Sequence, residues 1–357
     1  MRSVVDMQAA GNSEAVTIHV QGLKDLVSGL LEKAGVPLLQ AGHAADVMVN
    51  AEMKGIESHG VRWLDIYLKR IRAGSVNPVT ELKVIQQKAG LLLLDAQNGL
   101  GQVAFSKGIE MAIEKAKKVG VCTLGVRNSN HCGALGYYAE MAVKANMAAI
   151  VMTNGTPLMA PWGGITPCIG TNPIAFAVPG RAEPVILDMA TSASARGKVF
   201  VAAQKGIKLP EGIALNREGE PTTDPKEALE GLLLPVGGPK GYGLSLMIDI
   251  MAGIMTGSKH GRQITSLYGD LEHAQNIGHF AVLINVEDFL PLEDFFAGMQ
   301  QSRSELKQSK PAKGFTGIFL PGEIEANTVR QSEKQGTVLP AATWNMLQDW
   351  KENLQVE

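Results

Sequence analysis

The feature that most constrains this chain is a pair of short apolar runs, Ile174 to Val178 and Pro184 to Asp188, joined only by the turn-like segment Pro179 to Glu183. Strands this close pair antiparallel, because a parallel crossover needs about a dozen residues or more. Before them, apolar residues recur at helical spacing between Ile18 and Gly74: Leu23, Leu26, Leu30, then Ala45, Met48, Ala51, then Leu64, Tyr67, Leu68, Ile71. This spacing predicts three helices, the last stopped by Gly74. Val84 to Asp95, with leucine at 91 to 94, reads as one or two buried strands. Helix Val103 to Lys118, strand Val121 to Val126, helix Ala134 to Ala145 and strand Ala149 to Thr153 then alternate, until a Gly- and Pro-rich stretch and the close strand pair break the alternation. Helix Gly241 to Met255, strand Phe280 to Val286 and an amphipathic helix, Ala342 to Asn353, complete a mixed α/β (α+β) pattern.

That break weighs against a motif that otherwise invites a dinucleotide-binding reading. Gly99-Leu100-Gly101-Gln102-Val103-Ala104 follows a strand and opens a helix, as the G-x-G-x-x-A fingerprint should. The fingerprint also wants an acidic residue about twenty positions on, at the end of the second strand. Here that strand ends in Arg127, and the later strands do not continue the βαβ order of a doubly wound sheet. A turn capping a core helix is the better reading.

Bulk properties exclude several classes of function. With 357 residues, 45% of them hydrophobic and 19% charged, the chain suits two or three packed domains; a net charge of -2 gives no surface for nucleic acid. Cys122, Cys132 and Cys168 are odd in number and lack C-x-x-C spacing, against a disulfide framework or structural zinc and in favour of a reducing, cytoplasmic setting. Met1 to Gly11 contains no continuous apolar stretch, and Tyr242 to Met255 is too short and too interrupted to span a bilayer, so neither an export signal nor a membrane anchor is expected.

Three polar clusters can carry chemistry. Ser58-His59-Gly60, followed by Arg62, offers a proton donor, a hydroxyl and a guanidinium within one segment, although from the residues alone a helix cap is the more common reading of such a segment. Asn128-Ser129-Asn130-His131-Cys132-Gly133 joins a strand to a helix, where a rigid scaffold commonly presents a ligand site. Gly237-Gly238-Pro239-Lys240-Gly241 precedes an apolar helix, so free backbone N–H groups and a lysine converge as they would on an anion. No metal-ligand spacing and no G-x-S-x-G elbow occurs, which disfavours a metal site and a hydrolase.

Taken together, SHGVRWLDIYLKRIRAG (58 to 74), DAQNGLGQ (95 to 102), NSNHCGALGYYA (128 to 139), APWGG (160 to 164), GTNPIAFAVP (170 to 179), LDMATS (187 to 192), GPKGYGL (238 to 244) and PGE (321 to 323) resemble the malate/L-lactate dehydrogenase family that is unrelated to Rossmann dehydrogenases. The resemblance covers about residues 20 to 350, and the segment Gly238 to Leu271 is most similar to the ureidoglycolate dehydrogenase branch. It implies a non-Rossmann fold: a cofactor domain on a largely antiparallel sheet (96–304), packed against a helical domain built from both chain ends (1–95 with 305–357), as a homodimer. It implies a hydride transfer between NAD or NADP, NAD favoured, and C2 of a small 2-oxo or 2-hydroxy acid. The alternative is a cofactor-binding protein of the same fold without catalysis. Carried over residue by residue, the chemistry falls to Ser58, His59 and His131, the substrate to Arg62, Met152 and Thr171, and the cofactor to Gly155, Asp188, Met189, Ala190, Pro239, Lys240, Pro321, Gly322 and Glu323. One position departs from the family: many relatives carry the substrate-binding arginine four residues after the histidine, where Trp63 stands here, and Arg62 stands one earlier.

Overall fold

The computed structural model describes residues 15–355, so the expectation for Met1 to Gly11 lies outside the described residues. β1 (Ala15–Ile18) leads into α1 (Val20–Lys33) and α2 (Leu38–Met53); two single 3-10 turns, Glu57–His59 and Val61–Trp63, then precede α3 (Leu64–Arg72). The predicted stop holds: Gly74 takes a φ of 75°, in the left-handed region that glycine enters without strain. The inner stripes of these helices, among them Leu23, Leu30, Met48, Leu64 and Leu68, form one apolar cluster with Leu339, Leu347 and Trp350 from the other end of the chain.

The middle of the chain builds the main sheet from β2 (Lys83–Lys88), β3 (Leu91–Asp95), α4 (Gly101–Val119), β4 (Val121–Ser129), α5 (Leu135–Lys144) and β5 (Met147–Thr153). A small ladder, β6 (Pro157–Met159) with β7 (Ile169–Gly170), precedes β8 (Ile174–Val178) and β9 (Val185–Met189). After α6 (Arg196–Lys205) a second small sheet of β10 (Ala214–Leu215), β11 (Pro221–Thr222) and β12 (Leu232–Leu233) encloses α7 (Pro225–Glu230) in sequence. α8 (Pro239–Ile248), β13 (Ile277–Asn285), α9 (Leu292–Lys307), α10 (Glu323–Gln335), β14 (Thr337–Pro340) and α11 (Ala341–Leu354) complete the order, with β14 pairing back onto β1.

The seven-stranded sheet runs β2-β3-β4-β13-β5-β8-β9, and of its pairings only β3 with β4 is parallel. The close pair is antiparallel as expected, Ile174 facing Met189 and Val178 facing Val185. α4 and α5 cover one face through Phe105, Ile109, Tyr138 and Ala142 against Leu94, Leu124, Val126 and Val151. The end of α8 covers part of the other through Ile248 and Ala252 against Met152, Ile174 and Phe280.

Two expectations need correction. The first strand of the Val84 to Asp95 region is an exposed edge strand, because a sheet edge has a neighbour on one side only and the lysines and glutamines of β2 face water. The helix expected over Gly241 to Met255 is α-helical only to Ile248 and widens into a π turn over Asp249–Ile254. There Asp249 is buried and its carboxylate accepts from Asn154 Nδ2 and the Gly261 amide, each at 3.0 Å, a demand that no regular amphipathic helix makes.

The directions of the strands bring the C-terminal ends of β3, β4, β5 and β9 and the N-terminal ends of β8 and β13 to one edge of the sheet. The segments after Asp95, Ser129, Thr153 and Met189 therefore meet there, and they carry His131, Gly155 and Ala190.

Candidate active site

His59 and His131 come from different halves of the fold yet stack with ring centroids 5.9 Å apart. His59 is presented by the 3-10 turns that link α2 to α3, and His131 by the loop between β4 and α5. The first loop is shaped from below by Glu52, a buried carboxylate on α2 that accepts the Val61 amide at 2.8 Å. Burial pushes that carboxyl up to about 7, against the lowering effect of the amide. A β-carbon on Gly60 would overlap the same Glu52 oxygen, so glycine is required where the loop crosses the carboxylate.

Each histidine has its Nδ1 held by a hydroxyl: Ser58 Oγ at 3.0 Å from His59, and the Tyr67 phenol at 2.6 Å from His131. Burial, reinforced by the positive charge of Arg62, pushes His59 down to about 4. Burial and the two neighbouring histidines, His59 and His279, push His131 down to about 3. Both rings are therefore held in the neutral form at physiological pH.

Trp63 stands four residues after His59. Its indole N–H donates to the Ser58 carbonyl, and its ring stacks 4.7 Å from His131 and 5.1 Å from Tyr268. Arg62, on the 3-10 turn before the α-helix begins, has its guanidinium 5.9 Å above the Phe200 ring of α6, with its charge still near enough to act on His59 and Tyr268. The start of α6 also abuts the loop of Ser58 and His59, since a β-carbon on Gly197 would come within 3.2 Å of Ser58 Cβ.

The candidate cofactor residues converge at the same edge of the sheet. Asp188, on the last turn of β9, accepts the Gly136 amide at 2.7 Å, which places it at the N-terminus of α5, a few residues past His131. Thr191 accepts the Val236 amide at 2.9 Å and Ser192 bridges to Pro235, tying Asp188-Met189-Ala190 to the turn before α8. Gly237 and Gly238 both have positive φ, and the first amides of α8 stand beside an exposed Lys240. Thr171 is joined to Thr191 through the Thr191 amide at 2.9 Å, and the Gly155 amide donates to Asn172 Oδ1 at 3.1 Å, with open space where a Gly155 side chain would be. Free N–H groups and a lysine beside an open glycine fit the phosphates of a nicotinamide dinucleotide.

Four candidates stand apart from this picture in their contacts. Met152 is buried in the apolar cluster beneath the π turn. Pro321 accepts the Ile186 amide at 3.1 Å and Gly322 packs against Ile186, so this turn lies along β9. Glu323 is itself buried, its carboxylate taken by Arg303, Lys307 and the Leu320 amide. A surface cavity of about 560 Å³ lined by Asp65, Arg72 and Trp350 lies on the opposite side of α3 from Trp63 and Tyr67 and gathers none of the candidate residues. Among the described residues, no group of three or more His, Cys, Asp or Glu is arranged to hold a metal ion.

Sequence reasoning missed Glu52, Tyr67, Gln102 and Tyr268. Glu52 alone left a signal, as a lone acid in the apolar stretch Ala51 to Met53 seven residues before His59.

The chain is similar to known proteins over nearly its whole length. The L-sulfolactate dehydrogenase of Methanocaldococcus jannaschii is 41% identical over 326 residues, 91% of this chain and 94% of that protein. A malate dehydrogenase of Pyrococcus abyssi is 42% identical over 329 residues, 90% of each chain. The ureidoglycolate dehydrogenase (NAD(+)) of Escherichia coli O157:H7 is 37% identical over 320 residues, 89% of this chain and 91% of its own. The solved structure of the M. jannaschii sulfolactate dehydrogenase matches with a TM-score of 0.90 and 39% identity, over 96% of this chain and 98% of that one. The family described as malate/L-lactate dehydrogenase matches residues 18–348, and with these likenesses over nearly the whole length the chain belongs to that family.

Proposed function

We propose that this protein is an NAD(P)-dependent oxidoreductase that moves a hydride between the nicotinamide and C2 of a small 2-hydroxy or 2-oxo acid of the malate, lactate, sulfolactate or ureidoglycolate type. The observation that carries the reading is the pair of stacked histidines 5.9 Å apart, each with its Nδ1 held by a hydroxyl, beside the strand end that bears Asp188. When bound, the nicotinamide supplies or accepts the hydride. The chain does the rest. His59, oriented by Ser58, takes the C2 hydroxyl proton during oxidation and returns it to the forming alkoxide during reduction. His131 donates its ring N–H to the same oxygen, polarising the carbonyl. The assignment of these two roles rests on the family pattern, and their exchange is the second reading.

Gly155, Asp188, Met189 and Ala190 would line the nicotinamide end, and Pro239 and Lys240 the phosphates, with the Pro321 to Glu323 turn alongside. Arg62 would hold the substrate carboxylate if it swings off Phe200, with Thr171 beside the pocket and Met152 supporting it from the apolar cluster behind. NAD is favoured over NADP by the cofactor in the name of the ureidoglycolate relative. Three free cysteines support a cytoplasmic setting, and no helix among the described residues is long and apolar enough to cross a membrane. Exposed Leu244, Leu246, Met247, Ile254 and Met255 on α8 and its π turn support a homodimer, since a run of uncovered apolar side chains marks an association surface.

The test is the absorbance of the reduced cofactor, NADH and NADPH in turn, mixed with a panel of 2-oxo acids: pyruvate, oxaloacetate, sulfopyruvate and oxalurate. Turnover of at least one supports the reading. Silence across the panel with measurable cofactor binding would favour a non-catalytic binding protein.

A further inference from the structure

The glycine motif that loses its dinucleotide role acquires another in the fold. Asn98-Gly99-Leu100-Gly101-Gln102 packs directly on the loop that carries His131. Asn130 Nδ2 donates to the Gly99 carbonyl at 2.9 Å, and a β-carbon on Gly101 would run into the carbonyl oxygens of Asn130 and His131, the latter at 2.6 Å. This close approach delivers Gln102, wholly buried, to the floor of the site. Neither carboxamide atom of Gln102 has a partner within strict hydrogen-bonding geometry, and the group its carboxamide approaches is the Tyr67 hydroxyl. A buried amide with nothing to bond is uncommon, and an apolar side chain would fill the space without it.

Tyr67 is 4% exposed, and burial with neighbouring Cys132 and Tyr268 holds its phenol well above its usual range, so it keeps its proton. That single proton has one strong acceptor within reach, His131 Nδ1 at 2.6 Å. A small turn of the unpartnered Gln102 amide toward the phenol oxygen would leave the phenol proton to point at the ring. A neutral imidazole whose Nδ1 accepts must carry its proton on Nε2.

We propose that Gln102 and Tyr67 are positioning residues that fix His131 in the Nε2–H tautomer, so that the ring presents a donor, never a lone pair, to the substrate oxygen. Trp63, stacked 4.7 Å away, fixes the ring plane while Tyr67 fixes the proton. The inference rests on the proposed place of His131 in the site, so its test reads the tautomer apart from turnover.

Two-bond 1H–15N spectra of the full-length protein labelled with ring-15N histidine report the tautomer, with the His131 signals identified by their loss in His131→Gln. The expected wild-type pattern is Nε2–H. Tyr67→Phe keeps the aromatic packing and should convert the pattern to the other tautomer or a mixture, with kcat lower by about tenfold or more and the cofactor KM unchanged. Gln102→Met, which matches the side chain in length without its amide, should give a smaller change of the same kind, and it serves should Tyr67→Phe fail to fold. A wild-type Nδ1–H pattern, or an Nε2–H pattern untouched in both variants, would overturn the proposal. A changed tautomer with full turnover would uphold it and refute the proposed role of His131 instead.

Discussion

His279 offers the cleanest physical test of how the site is held. Its ring is wholly buried, stacked 4.7 Å from Phe105, with Nδ1 2.7 Å from Thr153 Oγ1 and Nε2 2.8 Å from Ser129 Oγ. Those hydroxyls end β5 and β4, just before Gly155 and His131, so one imidazole links the two strands that carry both halves of the site. Burial pushes it down to about 3. The unfolded chain has its histidine near 6.5, so between those values the unfolded state binds the extra proton and stability is lost as pH falls. At about 1.4 kcal/mol per unit, acidification from about pH 7 to about pH 5 should cost about 2 kcal/mol through this group. The variant His279→Gln removes that dependence, at a cost of about 1–3 kcal/mol at neutral pH from the hydrogen bonds lost. Urea unfolding of both proteins at the two pH values and one protein concentration isolates the effect, because His59 and His131 contribute to both and cancel. The wild type should lose about 2 kcal/mol more than the variant on acidification. Parallel losses would show that His279 is not held neutral by burial, and would refute the reasoning.

Other consequences follow from the same contacts. Gly60→Ala places a β-carbon on Glu52 and breaks the bond to the Val61 amide, so thermal unfolding should show a loss of about 1–3 kcal/mol and turnover should fall as the His59 loop moves. Lys240→Met should raise the cofactor Kd by about tenfold, less at high salt, with a smaller change in kcat, as titrated by quenching of tryptophan fluorescence. With His59 held down to about 4, kcat/KM for hydroxy-acid oxidation should stay level from about pH 8 to about pH 5, because the base is free throughout; an inflection near 6.5 would contradict the burial argument.

Much of the architecture was legible because it depends on local pattern. The spacing of Ile174 to Val178 and Pro184 to Asp188 fixed an antiparallel pair, and Arg127, two residues before the end of β4, argued correctly against a Rossmann sheet; Arg127 in fact bonds Asp95 at 3.0 Å. The helices α9 and α10 escaped notice, since both are largely exposed and carry only a weak apolar stripe. The site was legible only through the assembled family motifs. His59 and His131 are 72 positions apart and nothing local to either reports the other, and Tyr67 and Gln102 read as ordinary members of a helix stripe and a glycine turn until the fold brings them under His131. The displaced arginine is likewise a question of direction, which the sequence does not encode and the 3-10 turn at Val61–Trp63 decides.

The central claim is tested most directly by His59→Ala, assayed with whichever 2-oxo acid the wild-type protein turns over best and titrated with the reduced cofactor. The account predicts a fall in kcat of about a hundredfold or more with cofactor Kd unchanged within about twofold. Near-normal turnover in that variant would contradict it.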